Sequence, residues 1–86
     1  MPKVDYRKWE YRCKTEYQKM VVHDIVEICG PKCKHSCSFP ELELLGHAKD
    51  ELIPALTYFE RVKLIRNCIH YPDTNVPFIF YLVAQS

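Results

Sequence analysis

The residue types that support metal and thiol chemistry are concentrated in one short segment of this sequence. From Cys29 to Cys37 it reads Cys-Gly-Pro-Lys-Cys-Lys-His-Ser-Cys, so three thiols and one imidazole stand within nine residues. Zinc in structural sites is held by four such sulfur and nitrogen donors in a tetrahedron. Gly30 and Pro31 permit a tight reversal of the chain, which would turn the donors toward one another. The segment therefore predicts a structural zinc site in a loop.

Three sets of ligands fit this prediction. The first is local and uses all four donors of the loop. The second takes three of those donors and adds Cys68 or His70, which stand together farther along the chain. The third joins the three loop cysteines to His23, on the helix predicted before them. The sequence favours the first two sets and does not separate them. The candidate ligands are Cys29, Cys33, His35, Cys37, Cys68 and His70.

The chemistry of this loop leaves alternatives to zinc open. Lys32 and Lys34 would favour thiolate over thiol and so favour metal binding. The spacing, however, matches none of the common zinc-finger patterns. An iron–sulfur cluster could use the same three cysteines, and thiols that are buried or joined in a disulfide need no metal. A bound metal would help a chain this short, because its binding free energy becomes folding free energy.

Catalytic patterns do not accompany these residues. No acid lies between Glu27 and Glu41 that could act as a base beside a zinc-bound water. The sequence has no His-Glu-x-x-His motif, no deaminase signature and no glycine-rich phosphate loop. Cys68 and His70 are two residues apart in a predicted helix, where their side chains would point to different sides. We therefore expect a non-enzymatic protein.

The composition indicates a single small globular domain over residues 1–86. Hydrophobic residues make up 48% of the chain and charged residues 27%, a balance that argues against disorder and leaves room for one core. The first residues are charged where the apolar part of a signal peptide would begin. The longest apolar run, 76–84, is shorter than the roughly 20 residues of a membrane-spanning helix. We expect an intracellular protein, cytoplasmic or nuclear, without a membrane partner.

An N-terminal strand is predicted ahead of the cysteine loop. Trp9, Tyr11 and Cys13 alternate with charged residues, which is the period of a half-buried strand. A helical spacing competes, because Tyr6, Trp9 and Cys13 also lie three and four residues apart. The strand is favoured because a signal for the start of a helix follows it at Thr15.

Helices are predicted between this strand and the C-terminal segment. Thr15–Gln18 and Ser38–Glu41 both match a capping box, so each marks the start of a helix. A third helix begins near Asp50 and carries apolar residues at helical spacing. The predicted helices run from about Glu16 to Ile28, from about Phe39 to Leu45 and from about Asp50 to Ile69.

The chain closes with a run of β-branched and aromatic residues, Pro77 to Ala84, which predicts a strand covered on both faces. Its one candidate partner is the N-terminal strand. The predicted fold class is therefore α+β: one small domain in which the N- and C-terminal strands pair, about three helices cover them and zinc staples a loop. Because a two-stranded sheet is marginal alone, a homodimer through the terminal strands is a further possibility.

Charge is distributed unevenly between the two halves of the chain. Residues 1–37 have a net charge of +3 and residues 38–86 a net charge of −2. Basic residues of the first half interleave with aromatic ones, a pattern that can stack on bases and contact phosphates. The candidate nucleic-acid contacts are Arg7, Lys8, Arg12, Lys14, Lys32 and Lys34.

Three functional hypotheses follow. The missing catalytic patterns and the available strand edges favour a small zinc-binding regulatory or adaptor protein that acts through a protein partner. The alternative is a nucleic-acid-binding regulator that uses the basic, aromatic N-terminal half. A weaker alternative is a redox-sensitive switch, in which loss of zinc lets the loop cysteines oxidise.

Overall fold

A computed structural model of the chain describes residues 4–85, which form four helices and a three-stranded sheet. The predicted α+β class is confirmed. The Cα radius of gyration is 11.9 Å, close to the value of about 12 Å expected for one domain of this length. The elements in chain order are α1 (Arg7–Glu10), α2 (Glu16–Cys29), β1 (Ser36–Ser38), α3 (Phe39–Leu44), α4 (Lys49–Arg61), β2 (Ile65–His70) and β3 (Pro77–Leu82).

The N-terminal segment is helical, so the strand predicted there is wrong. Trp9 is buried on α1, whereas Tyr11, two residues later, is 64% exposed. A strand would have placed both on the same face, but a helical turn places Trp9 beside Cys13 instead. The Cys13 thiol contacts the Trp9 carbonyl oxygen at 3.8 Å. The competing helical spacing therefore describes this segment, which packs onto the domain as a single turn.

Helix α2 begins where the first capping box predicts. The Gln18 N–H donates to the Thr15 hydroxyl at 3.1 Å, and the Gln18 side chain accepts a hydrogen bond from the Lys14 N–H at 2.6 Å. The helix buries a face that includes Val21 and Ile25. It ends at Gly30, whose φ of 83° is a conformation that glycine adopts without a steric penalty. This ending directs the chain into the cysteine loop.

Two consecutive helices, α3 and α4, follow β1. The Ser38 hydroxyl caps α3 by accepting the Glu41 N–H at 3.4 Å, as the second capping box predicts. Residues 45–48 join the two helices, and Gly46 within this turn has a φ of 101°. A side chain at that φ would be strained, so glycine allows the turn to be short.

Helix α4 ends earlier than the sequence predicts, because the chain becomes a strand. After Arg61 the Leu64 N–H donates to the Phe59 carbonyl at 2.8 Å, and Lys63 has a φ of 64°. The predicted continuation of the helix to Ile69 is therefore wrong. As a strand, residues 65–70 form backbone hydrogen bonds with β3 that a helix in this position could not form.

The sheet has the order β1-β3-β2, with both pairs antiparallel, so β3 is the central strand. Cys37 lies opposite Phe80 and Ile65 opposite Leu82. Phe80 and Leu82 are fully buried, whereas Tyr81 between them is half-buried, because α2, α3 and α4 cover one face. The predicted pairing of β3 with an N-terminal strand is wrong. Both edges of β3 already have partners, so a dimer through this strand would require that one pair separates.

Candidate functional site

Two predicted metal ligands meet in the core, and a third lies near them. Cys29 ends α2 and Cys37 lies in β1, and both are fully buried. A hydrogen bond with Cys37 lowers the pKa of the Cys29 thiol, and the same contact, together with burial, raises the pKa of Cys37. Cys33 is partly exposed, and burial followed by the nearby charge of Cys29 raises its pKa. The loop thus brings the Cys29 and Cys37 thiols into contact at the end of α2, while the Cys33 thiol stays partly exposed.

The fourth local donor, His35, lies at the surface. Its side chain is exposed, and its backbone N–H donates to the Cys29 carbonyl at 3.2 Å. Together with Cys29 and Lys34 it lines a hollow of about 190 Å³. Within residues 4–85 no group of three or more His, Cys, Asp or Glu side chains is arranged to hold a metal ion. The structure therefore does not support the predicted zinc-stapled loop.

The second predicted pair, Cys68 and His70, lies on β2 rather than on a helix. The His70 Nε2 hydrogen-bonds the Glu60 carboxylate at 2.9 Å. Burial, then the charge of Glu60, raises the pKa of the Cys68 thiol to about 12. A thiol with so high a pKa is a poor nucleophile at neutral pH. Glu60 was not identified from the sequence, because only the pairing of β2 with β3 brings this strand back beside α4.

Two of the predicted nucleic-acid contacts, Arg12 and Lys14, lie together beside the end of α4. The Tyr58 hydroxyl donates to the Arg12 carbonyl at 2.8 Å, and the Arg12 guanidinium donates to the Val62 carbonyl. The Lys14 ammonium lies 5.3 Å from the centroid of the Tyr58 ring. These contacts attach the segment after α1 to the C-terminal half of α4.

Helix α4 and the turn after it supply two more cations. The Arg61 guanidinium lies 5.7 Å from the centroid of Tyr58, so Tyr58 contacts two cationic side chains at distances typical of cation–π pairs. Lys63 is exposed and follows Val62, the residue that Arg12 contacts. We call Arg12, Lys14, Arg61 and Lys63 the basic cluster.

No salt bridge neutralises the basic cluster within residues 4–85, where the ion pairs involve other residues. The four charges are therefore free to attract an anion from solution. Arg61 and Lys63 were not predicted as contacts, because they are distant in sequence from the N-terminal basic residues. Only the Tyr58–Arg12 hydrogen bond reveals that these residues are neighbours.

The other predicted nucleic-acid contacts lie outside this cluster. Arg7 is exposed and pairs with Asp5 at 3.1 Å, and Lys8 is exposed on α1. Lys32 and Lys34 are exposed in the cysteine loop. Of the six predicted residues, Arg12 and Lys14 share contacts around Tyr58.

His47 is a buried polar residue in the turn between α3 and α4. Its Nε2 hydrogen-bonds the Asp24 carboxylate, and its Nδ1 lies 3.2 Å from the Tyr17 hydroxyl. Burial, then the charges of Glu51 and Asp24, raises the pKa of Tyr17. Both ring nitrogens of His47 are partnered, so this histidine joins α2 to the turn between α3 and α4.

Comparison with known proteins gives no guide to function, since no family model, curated protein or solved structure matches the chain. None of the helices within residues 4–85 is both long and apolar enough to cross a bilayer.

Proposed function

We propose that this domain is a non-enzymatic intracellular regulator that binds the phosphate backbone of a nucleic acid through the basic cluster. The observation that carries the proposal is the convergence of Lys14 and Arg61 on Tyr58, with Arg12 held beside them and no salt bridge among residues 4–85 to neutralise the group. Lysine and arginine that neutralise phosphates release condensed counterions, which supplies most of the affinity in binding of this kind.

The first turn of α4 is a poor place for phosphates. Lys49 is exposed there, but so are Asp50 and Glu51, which would repel a polyanion. We therefore place the phosphate contacts at the C-terminal end of α4 and not at its N-terminal end.

Fluorescence anisotropy with labelled nucleic acid tests this placement. The full chain is titrated at low salt into a duplex DNA and into a single-stranded oligonucleotide of the same sequence. We expect binding to at least one of them, and we expect the double variant Arg61→Gln, Lys63→Gln to weaken it. The double variant Lys32→Gln, Lys34→Gln loses the same charge from the cysteine loop and serves as the matched control. A Lys49→Gln variant tests whether the first turn of α4 contributes to nucleic-acid binding. If neither nucleic acid is bound at low salt, the proposal is wrong.

A further inference from the structure

Tyr11 is an exposed aromatic side chain directly beside the basic cluster. It is 64% exposed, and it is the one exposed tyrosine, tryptophan or phenylalanine among residues 4–85. The next residue, Arg12, belongs to the basic cluster, and its Nε donates a hydrogen bond to the Tyr11 hydroxyl at 2.7 Å. The exposed ring and the cations therefore lie side by side on one surface.

Hydrogen bonds at its hydroxyl hold the Tyr11 ring in place. The hydroxyl accepts from Arg12 and donates to the side-chain oxygen of Gln85 at 3.2 Å. The Gln85 amide in turn donates to the Val83 carbonyl at 3.2 Å, and the Arg12 guanidinium donates to the Val62 carbonyl. The ring is thus attached by one edge to the C-terminal segment and to the end of α4. Because it is already ordered, a ligand would not have to order it, which reduces the free-energy cost of binding.

The Arg12 guanidinium connects this ring to the rest of the basic cluster. Its Cζ lies 5.3 Å from the centroid of the Tyr11 ring, a distance typical of cation–π pairs. The hydrogen bonds to Tyr11 and Val62 occupy only part of the five N–H groups that a guanidinium carries. The other N–H groups can contact a phosphate. A nucleotide seated against Tyr11 would therefore have a cation beside its phosphate group.

An exposed ring among cations distinguishes a single strand from a duplex. In a duplex each base is stacked between its neighbours, so a protein side chain reaches the face of a base only by opening the stack. In a single strand the faces of the bases are available, and stacking on an aromatic side chain stabilises the complex whatever the base, because every base has a π-face. The Tyr11 ring therefore favours an unpaired strand over a duplex.

We propose that the nucleic acid bound at the basic cluster is single-stranded, and that one of its bases stacks on Tyr11 while Arg12 contacts the adjoining phosphate. This inference rests on the proposed function, because it requires the phosphates to lie at the basic cluster. It adds the class of ligand: an unpaired strand, whose stacking bases and charged phosphates DNA and RNA share.

Fluorescence anisotropy at low salt with labelled probes of equal length tests the stacking. The full chain is titrated into an oligothymidine, into a duplex and into an oligonucleotide of abasic sites, which keeps the phosphates and lacks the bases. We expect the oligothymidine to bind most tightly. Tyr11→Ala should weaken that binding about tenfold, as expected for the loss of one stacked base, and should leave binding of the abasic probe unchanged. An oligouridine titrated in parallel distinguishes RNA from DNA, and the same variant should weaken whichever strand binds more tightly.

Two further variants separate the ring from its surroundings. Tyr11→Phe keeps the ring and loses the hydroxyl, so it should retain most of the affinity for the oligothymidine. Leu44→Ala is the matched control, because Leu44 is 87% exposed on α3 and takes no part in the contacts around Arg12 and Tyr58. This variant should bind every probe as the wild type does. All these changes are at exposed positions, so the variants should fold, which circular dichroism checks.

The outcomes distinguish this inference from the proposed function. Tighter binding of the duplex than of either single strand would overturn the inference and leave the proposed function standing. Equal losses of the oligothymidine and the abasic probe in Tyr11→Ala would do the same, because they would show that the ring positions Arg12 and does not stack on a base. Unchanged binding of both strands in Tyr11→Ala would also overturn the inference alone. If no probe is bound at low salt, the proposed function itself is wrong.

Discussion

The indole N–H of Trp9 donates a hydrogen bond to the carbonyl oxygen of Val83 at 2.8 Å, which joins the first helix to the residue after the last strand. Trp9 is 2% exposed, so α1 contributes a large side chain to the core although it has only four residues. The termini of the described chain are thus close together, as predicted, but through this side chain and not through paired strands.

Substitutions at Trp9 should separate its hydrogen bond from its packing. Trp9→Phe keeps most of the buried area and loses the bond to Val83, so we expect a loss of about 1 kcal/mol in the free energy of unfolding. Trp9→Ala also leaves a cavity and should cost about 3–5 kcal/mol. Urea denaturation followed by far-UV circular dichroism measures both. Tyr11→Phe, at an exposed position, is the control and should change stability little.

The Asp24–His47 contact should be important for the turn between α3 and α4. Asp24→Ala removes the partner of Nε2 in a buried imidazole, and an unsatisfied buried group costs about 1–3 kcal/mol. Tyr17→Phe removes the weaker partner at Nδ1 and should cost about 1 kcal/mol or less. The same denaturation experiment compares the two variants. If Asp24→Ala is as stable as the wild type, the contact does not hold the turn in place.

The free energy of unfolding should decrease at alkaline pH because of the Cys68 thiol. Its pKa is raised from 9.0 to about 12 in the folded protein, so above pH 9 the unfolded chain loses the thiol proton while the folded chain keeps it. The unfolded state then binds fewer protons, and the free energy of unfolding decreases as the pH rises toward 12. In the Cys68→Ser variant the serine hydroxyl can still donate a hydrogen bond to Glu60, but it does not titrate in this range. The free energy of unfolding of the variant should therefore decrease less than that of the wild type between pH 8 and pH 10. If the free energy of unfolding falls equally with pH in the wild type and in Cys68→Ser, the Cys68 thiol does not cause the loss of stability.

The zinc prediction has its own test, native mass spectrometry with metal analysis on protein purified without chelator. The sequence predicts one zinc per chain, lost in Cys29→Ser or Cys37→Ser. Cys13→Ser is the matched control, because Cys13 lies beside α1 and should retain the metal. A folded, metal-free wild type would show that the loop thiols are structural, in line with the burial of Cys29 and Cys37.

Much of the helical structure could be predicted because its signals are local. The hydroxyls of Thr15 and Ser38 accept hydrogen bonds from residues three positions later, so the sequence alone indicates where α2 and α3 begin. The C-terminal strand was also predicted, since its run of apolar residues has to be covered on both faces. The alternation at Trp9, Tyr11 and Cys13 wrongly predicted a strand. Trp9 and Cys13 are four residues apart, so one helical turn also places them side by side.

The remaining features depend on contacts between distant parts of the chain. Ile65 and Ile69 fit an apolar helical face, and only the pairing with β3 makes them part of a strand. The basic cluster depends on the contact between Tyr58 and Arg12, whose positions are 46 residues apart. No local pattern reports such a contact, so the sequence predicted only its N-terminal members.

The salt dependence of nucleic-acid binding tests the basic cluster most directly. Anisotropy titrations at several salt concentrations give the slope of log K against log salt for the wild type and for the Arg61→Gln, Lys63→Gln variant. If all four cations contact the phosphates of a duplex, the slope should be about −3.6, and the variant should reduce its magnitude by about 2. The Lys32→Gln, Lys34→Gln control should keep the wild-type slope. A wild-type slope near zero, or equal slopes for the wild type and the Arg61→Gln, Lys63→Gln variant, would contradict the proposed function.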